Sequence, residues 1–560
     1  MRLKVLVLPL IMVIYGGSSF ADNVVQNVTE SNLIASRINS NPSTRIMCTS
    51  TLRCSSSLTT QFYKAYNYQY VWVNNGNLNP DISKFLAILD NSYQDGLNPN
   101  DYHVQEIHTL LQKISEVKKE SGEVVTQAQL TDLELTLSDA YLLYLRHIEI
   151  GRVDPQSSYP TWQVNRRKVN VVDQYLYAAR QNKLISTLTN SVPTTTQYQQ
   201  LKQQLAIYQK IAQNGGWENI SAGNNLQLGS SGMQVELLQK RLAATESYNF
   251  QASSGVAKFN QSTKNAVMDY QRENGIKVTG IVDKATIQAL NVSVKSRIKQ
   301  IQLNLDRLRW LPTSLGSQYI WVNIPSYSLE IINSGSKSLQ MPVIVGGGGE
   351  NKTCAVSSVL TTMELNPYWG IPNRIATKEY LGKIQQDPEY LTKRNIRVFS
   401  STTKQEVDPS TINWESVNPN KFNYFLRQDP GKRNALGKVK FLFANNCGIY
   451  LHDTSNPNLF SRNARSLSHG CIRVSQPIEL ANYLVSDNSN WNSAKIDKTI
   501  KSGDHTWVKL ADQLPIHIVY QTVVVGSNGR LEFKKDIYNA DNVDFPVYLP
   551  QQSESNNASK

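Results

Sequence analysis

The spacing of apolar side chains changes once along the chain, and that change limits what each part can fold into. Up to about Asn291 they recur every three or four residues, most clearly at Leu133, Leu137, Ala140, Tyr141, Tyr144, Leu145 and Ile148, which share one helical face. From Tyr319 the period falls to two, in Tyr319–Ile324, Ser328–Ile332 and Met341–Val345. It stays at two in Val439–Phe443, Ile449–His452, Ile516–Tyr520, Thr522–Val525 and Leu531–Phe533, the last two flanking the turn Asn528-Gly529. The pattern predicts a multidomain α+β protein, helical first and mostly β afterwards, as 560 residues at roughly 100–200 per domain would allow.

Local signals divide it further. Arg2 and Lys4 precede the apolar run Val5–Tyr15 and then Ser19-Phe20-Ala21, so residues 1–21 read as a cleaved secretory signal. No later run approaches the roughly 20 apolar residues of a membrane span. Residues 22–222 read as a helical scaffold in which Gly151 and Asp154-Pro155 stop one helix, and Thr189–Gln200, with Pro193, forms an exposed connection. Residues 226–292 have the size of a three-helix module. Val235, Leu238 and Leu242 share one face there, Phe259, Ala266, Val267 and Tyr270 another, with Gly275 and Gly280 at turns and Asp283 capping the last helix. The strand-rich part spans 317–541. It is interrupted by a polar, charged insertion at about 373–438, whose Lys378, Tyr380, Lys393, Arg394 and Trp414 suit a mobile lid over an anionic ligand. Gly346–Gly349 reads as a flexible turn, and residues 542–560 as a polar tail.

The net charge is +13, and removing residues 1–21 takes away only Arg2 and Lys4, so the exported chain stays basic and favours polyanions such as cell-wall polymers or anionic membrane faces. No nucleic-acid recognition motif accompanies the charge. Five cysteines are an odd number for an oxidising compartment. Cys48 and Cys54 are close enough to close a small loop, Cys354 and Cys447 are candidates for a second bridge, and Cys471 is left over.

The surroundings of Cys471 carry the chemistry. His452 lies in the strand Ile449–His452, and Ser468-His469-Gly470-Cys471-Ile472-Arg473 follows. An imidazole can take a thiol's proton, a glycine beside the sulfur lets a carbonyl approach backbone N–H donors, and a helix starting near Ser475 and Pro477 would favour the thiolate. No HExxH occurs, and His103, His108, His147, His505 and His517 show no zinc spacing, so neither a metal nor a cofactor is implied.

At His452 and Ser468 to Arg473 the sequence resembles the L,D-transpeptidase (YkuD) family, every position of whose signature is filled. Asn366-Pro367-Tyr368-Trp369, Asn434–Gly437 and Tyr450–Thr454 extend the likeness. Residues 228–291 resemble the peptidoglycan-binding domain type 1, and the whole order is similar to the large YcbB-like periplasmic enzymes of Gram-negative bacteria. The resemblance implies that Cys471 attacks a tetrapeptide stem, releases the terminal D-alanine and passes the acyl group to a second stem as a 3→3 crosslink. In that scheme His452 is the base, the Asp453 carbonyl orients it, and the N–H groups of Gly470 and Cys471 hold the oxyanion. His469 supports the loop. Arg473 grips a substrate carboxylate or forms a structural ion pair. Ser468, Tyr450, Trp369 and Tyr368 complete the substrate-binding set, although the two neighbouring aromatics equally suit packing under a sheet. Stem peptides and glycan strands are the implied partners, with cell-wall synthesis enzymes beside them, and carbapenems would acylate the same thiol. L,D-carboxypeptidase action and a noncatalytic wall-binding scaffold are the competing readings.

Overall fold

The computed structural model describes residues 31–39, 56–119, 125–164, 167, 169–221, 223, 225–245, 249, 255–387, 389–486, 488–545 and 547. The signal sequence, Cys48, Cys54 and the end of the tail lie outside the described residues. The chain forms two compact units, residues 1–150 with 168–193, and residues 151–167 with 194–560.

The first unit is helical apart from one small hairpin, β1 Val73–Asn74 and β2 Asn77–Leu78. Its centre is the helix Gln127–Ile150, every residue of which from Leu133 to Leu145 is buried. A helix enclosed on all sides must satisfy its polar side chains internally. Glu134 accepts from the Tyr63 hydroxyl at 2.6 Å and from the backbone of Val71 and Trp72 at 2.7 Å. Asp139 accepts from Thr59 at 2.6 Å and meets His103 at 2.9 Å. The stripe from Leu133 to Ile148 is core, as its period predicts.

In the second unit the helix Thr196–Gln213 starts inside the run expected to be a connection, because Tyr198, Leu201, Leu205 and Tyr208 bury one face of it. The linking stretch is therefore only the few residues between Asn190 and Thr196. The module forms the helices Met233–Ala243, Gln261–Glu273 and Lys284–Leu290 around Val235, Leu238, Leu242, Phe259, Val267 and Tyr270, with Asp283 accepting from the Thr286 amide at 2.9 Å.

The β part is built on β3 Gln318–Asn323, β4 Ser328–Asn333, β5 Ser336–Gly346, β6 Val356–Leu365, β11 Val439–Phe443, β12 Leu451–His452, β13 Ser466–Ser468, β14 Ile472–Val474 and β15 Thr506–Val519. They form one nine-stranded sheet in the order β13-β5-β14-β12-β11-β6-β15-β3-β4. Because β5 pairs with β4 as well as with β14, the sheet closes on itself. The hairpin β16 Val523–Val525 and β17 Leu531–Phe533 follows it. Cys354 and Cys447 form a disulfide, and Cys471 is free.

The insertion is a small folded layer rather than a polar loop. Strands β7 Trp369–Ile371, β8 Ile396–Ser400, β9 Glu406–Val407 and β10 Tyr424–Gln428 make a sheet in the order β7-β10-β8-β9. They bury their own core of Ile371, Ile384, Leu391, Val398, Trp414 and Leu426. Trp414, expected on a covering surface, is thus a core residue, and Tyr380 packs against the same cluster. Its scattered apolar residues escape a periodicity search because the strands are short and separated by turns.

The glycine run after β5 is also more constrained than a flexible turn. Gly346 donates to the Thr353 hydroxyl at 2.8 Å and accepts from the Tyr538 hydroxyl at 2.6 Å, and a Cβ there would lie 1.9 Å from the Asn351 carbonyl. Gly348 has extended backbone and open space around it. Gly346→Ala is expected to lower stability by roughly 1–3 kcal/mol and Gly348→Ala by less than about 0.5 kcal/mol in urea unfolding, a contrast that equal midpoints would refute.

Candidate active site

Strand register assembles the site. β12 and β14 run parallel, with Leu451 opposite Ile472 and His452 opposite Arg473, and the Ile472 amide donates to the Tyr450 carbonyl at 3.1 Å. Side chains alternate along a strand, so Tyr450 and His452 share a face with Cys471 and Arg473, while Leu451 and Ile472 point into the core. The Tyr450 and His452 rings are 5.6 Å apart, and the Tyr450 hydroxyl lies near enough to the Cys471 thiol for each to shift the other.

His452 is buried, and its Nδ1 lies 2.5 Å from the Asp453 carbonyl oxygen. A carbonyl only accepts, so Nδ1 carries the proton and Nε2 is left as the free base. Burial, and then the Arg473 charge, push the imidazole down to about 3, against the pull of the Asp453 carbonyl. The Cys471 thiol moves the other way. Burial raises it, while Tyr450, Lys440 and Arg473 pull it down. The expected helix is present at Pro477–Leu484, and desolvation of the sulfur is the largest influence on the thiol, ahead of Tyr450, Lys440 and Arg473. Both shifts favour a neutral thiol beside a neutral imidazole.

The loop carrying the sulfur is clamped from below. The Ser468 hydroxyl donates to the Cys471 carbonyl at 2.5 Å and accepts from the Gly470 amide at 3.2 Å, so Ser468 holds the loop and the Gly470 N–H is already engaged. The Gly470 amide, one of the two N–H groups expected to hold an oxyanion, thus has the Ser468 hydroxyl as its partner. Gly470 has φ of 120°, a region closed to residues with a Cβ. Its carbonyl accepts from the Thr353 hydroxyl at 2.8 Å, the same hydroxyl that receives the Gly346 amide.

Arg473 has no carboxylate partner among the described residues, and its Nε is buried without an acceptor. Burial lowers its affinity for the proton, and the neighbouring thiolate would raise it. The structural ion pair that was one of two expectations for Arg473 is not formed among the described residues. His469 sits apart, about a third exposed, with Nε2 hydrogen-bonded to Glu379 of the insertion. Trp369 is buried in the insertion's core, against which Tyr450 also packs, and Tyr368 packs on His505 and under Arg427.

Several contributors were not singled out from sequence. Lys440 pairs in register with His452, lies 4.8 Å from the Tyr450 ring centre and is 3.0 Å from Glu364. Thr353 and Glu379 are the others. The bridge partner Cys354 beside Thr353 was the available hint; an exposed glutamate in a charged insertion offers none.

Residues 317–510 match the L,D-transpeptidase catalytic domain, YkuD, residues 231–290 a "Putative peptidoglycan binding domain", and residues 57–205 a scaffold domain. The β part thus matches the L,D-transpeptidase catalytic domain, in one chain with a match to a peptidoglycan-binding domain. A protein of Haemophilus influenzae (strain ATCC 51907 / DSM 11121 / KW20 / Rd) described as "Putative L,D-transpeptidase" is 35% identical over 263 residues, which are 46% of this chain and 52% of that protein. The chain therefore spans about half the length of the curated relative it matches. Two crystal structures also match. The L,D-transpeptidase from Xylanimonas cellulosilytica DSM 15894 is 15% identical with a TM-score of 0.17, over 53% of this chain and 98% of that one. The L,D-transpeptidase (Yku) from Stackebrandtia nassauensis is 12% identical with a TM-score of 0.19, over 54% and 97%.

The two shifts have a measurable consequence. With the thiol raised above its ordinary value of about 8.5, alkylation of Cys471 by iodoacetamide should climb about tenfold per pH unit from pH 6 to beyond pH 8.5. With His452 depressed to about 3, no inflection should interrupt that rise. A plateau with a midpoint between pH 5 and 7 would mean a preformed thiolate–imidazolium pair instead.

Proposed function

We propose that this protein is a periplasmic L,D-transpeptidase that makes 3→3 crosslinks in peptidoglycan, using tetrapeptide stems as acyl donors after its signal peptide is removed. The observation that carries the reading is the single face holding Cys471, Tyr450, His452 and Arg473, with the imidazole's donor side tied to Asp453.

The chemistry follows from those positions. The Cys471 sulfur attacks the carbonyl of the third stem residue, and its proton passes to Nε2 of His452. The oxyanion faces the Cys471 N–H. Collapse breaks the bond to D-alanine, whose nitrogen takes the proton from His452, leaving a thioester. The side-chain amine of a second stem attacks this thioester, gives its proton to the same Nε2 and returns the thiol. A neutral imidazole suits both proton transfers, since each begins with His452 as acceptor. Arg473 pairs with a substrate carboxylate by a fork of two hydrogen bonds. The insertion, held to the nucleophile's loop by Glu379 and packed by its core against Tyr450, excludes water and so favours amine over hydrolysis.

Mass spectrometry of muropeptides after incubation with the pure protein separates the readings. The wild type should yield crosslinked dimers and free D-alanine, Cys471→Ser none, and His452→Ala about 10²- to 10⁴-fold less. Trimmed tripeptides without dimers would make it a carboxypeptidase, and unchanged material would leave only a wall-binding scaffold.

A further inference from the structure

A second site lies away from the thiol, where the peptidoglycan-binding module meets the hairpin β16–β17 and the helix Val294–Arg309. A cavity of about 120 Å³ there is lined by Arg241, Tyr270 and Glu273 of the module, with Arg297, Tyr208 and Arg530 among the surrounding residues.

Its charge is unbalanced. Arg530 is paired with Glu273 at 2.6 Å. Arg241 is 3% exposed and Arg297 7% exposed, and neither has a carboxylate partner among the described residues. Arg241 donates from Nε to the Leu290 carbonyl at 3.0 Å, and its Nη1 is buried without an acceptor. The Tyr270 hydroxyl on the same wall is buried and unpartnered too. Arg297 spends donors on the Asn274 amide oxygen at 2.8 Å and more distantly on Gln300 and the Ala289 carbonyl. Two buried guanidiniums lining one cavity are costly to keep unless something negative joins them.

The rings beside them dictate the shape of that partner. The Arg241 guanidinium stacks 3.7 Å from the Trp217 ring centre and that of Arg297 3.9 Å from Phe533. Stacking covers a guanidinium's face and leaves its N–H edge, the arrangement that binds a planar carboxylate by two parallel bonds.

We propose that this cavity is a carboxylate-binding site that holds one carboxylate of a peptidoglycan stem peptide, separately from the stem being acylated at Cys471. The choice of stem rests on the transpeptidase reading, since stems of that polymer are the carboxylate-bearing ligand which a wall-binding module and a wall-modifying site would share. Such a site fixes a strand to the same unit that carries the nucleophile and raises the local concentration of stems.

Calorimetric titration of the full chain with the free tetrapeptide stem at low salt tests it. Two binding events are expected. Arg297→Gln and Arg241→Gln should each weaken one of them by roughly tenfold or more and spare the other, which Arg473→Gln should weaken. The same stem with its carboxyl groups amidated, titrated into the unaltered protein, should lose the event as well, so the result does not depend on a variant keeping its fold. A single event indifferent to Arg241 and Arg297, or an amidated stem that binds equally well, overturns the proposal. Inorganic phosphate that fills the site and resists displacement by the stem would make it a phosphate site, and overturns the stem assignment. Both events retained without crosslinked products would sink the transpeptidase reading while leaving this site standing.

Discussion

The parallel pairing of β12 with β14 is the constraint on which the site depends. It sets Tyr450 beside Cys471 and His452 beside Arg473 on one face, and a slip of one residue would turn all four toward the core. The register is held from both sides. Leu451 and Ile472 are fully buried on the opposite face, and β5 and β11 flank the pair. The closed sheet gives neither strand an edge along which to slide. Precision at the thiol is thus inherited from packing several residues away.

That same packing removes water, and desolvation then decides the protonation states. Arg473 and Lys440 bring positive charge close to the sulfur, which alone would favour a thiolate, yet burial outweighs them. It also strips His452 of its proton, with help from Arg473. A substrate carboxylate arriving at Arg473 would cancel much of that positive field and make the imidazolium easier to form at the moment the thiol loses its proton. On the proposed mechanism, substrate binding and activation of the nucleophile would be coupled through one guanidinium. The folded insertion is joined to this region by Glu379, which bonds His469, and by the packing of Tyr450 on its core.

Much of this was legible beforehand because it is written in spacing. The switch of apolar period marked the helical and β regions, Asp283 announced a helix cap, and the gapped pattern from His452 to Arg473 picked out residues that the sheet brings together. Other features are invisible in one dimension. Burial is the largest influence on the thiol. The Gly470 amide is engaged by Ser468, three residues from the carbonyl that Ser468 also holds, an arrangement set by a positive-φ turn. Thr353 supports the loop across a sequence gap of more than a hundred residues, and no local pattern encodes such a contact. The insertion looked polar because its core residues are dispersed among turns, and Trp369 and Trp414 looked available to substrate for the same reason.

The central claim is that Cys471 forms a thioester with the donor stem. Intact-mass measurement of the protein quenched in acid during turnover with a tetrapeptide stem tests it directly. The expected species carries one acyl-tripeptide, the stem less its D-alanine, mapped to Cys471 and released by neutral hydroxylamine. Turnover to crosslinked product with no such adduct, or an adduct on any other residue, would contradict it.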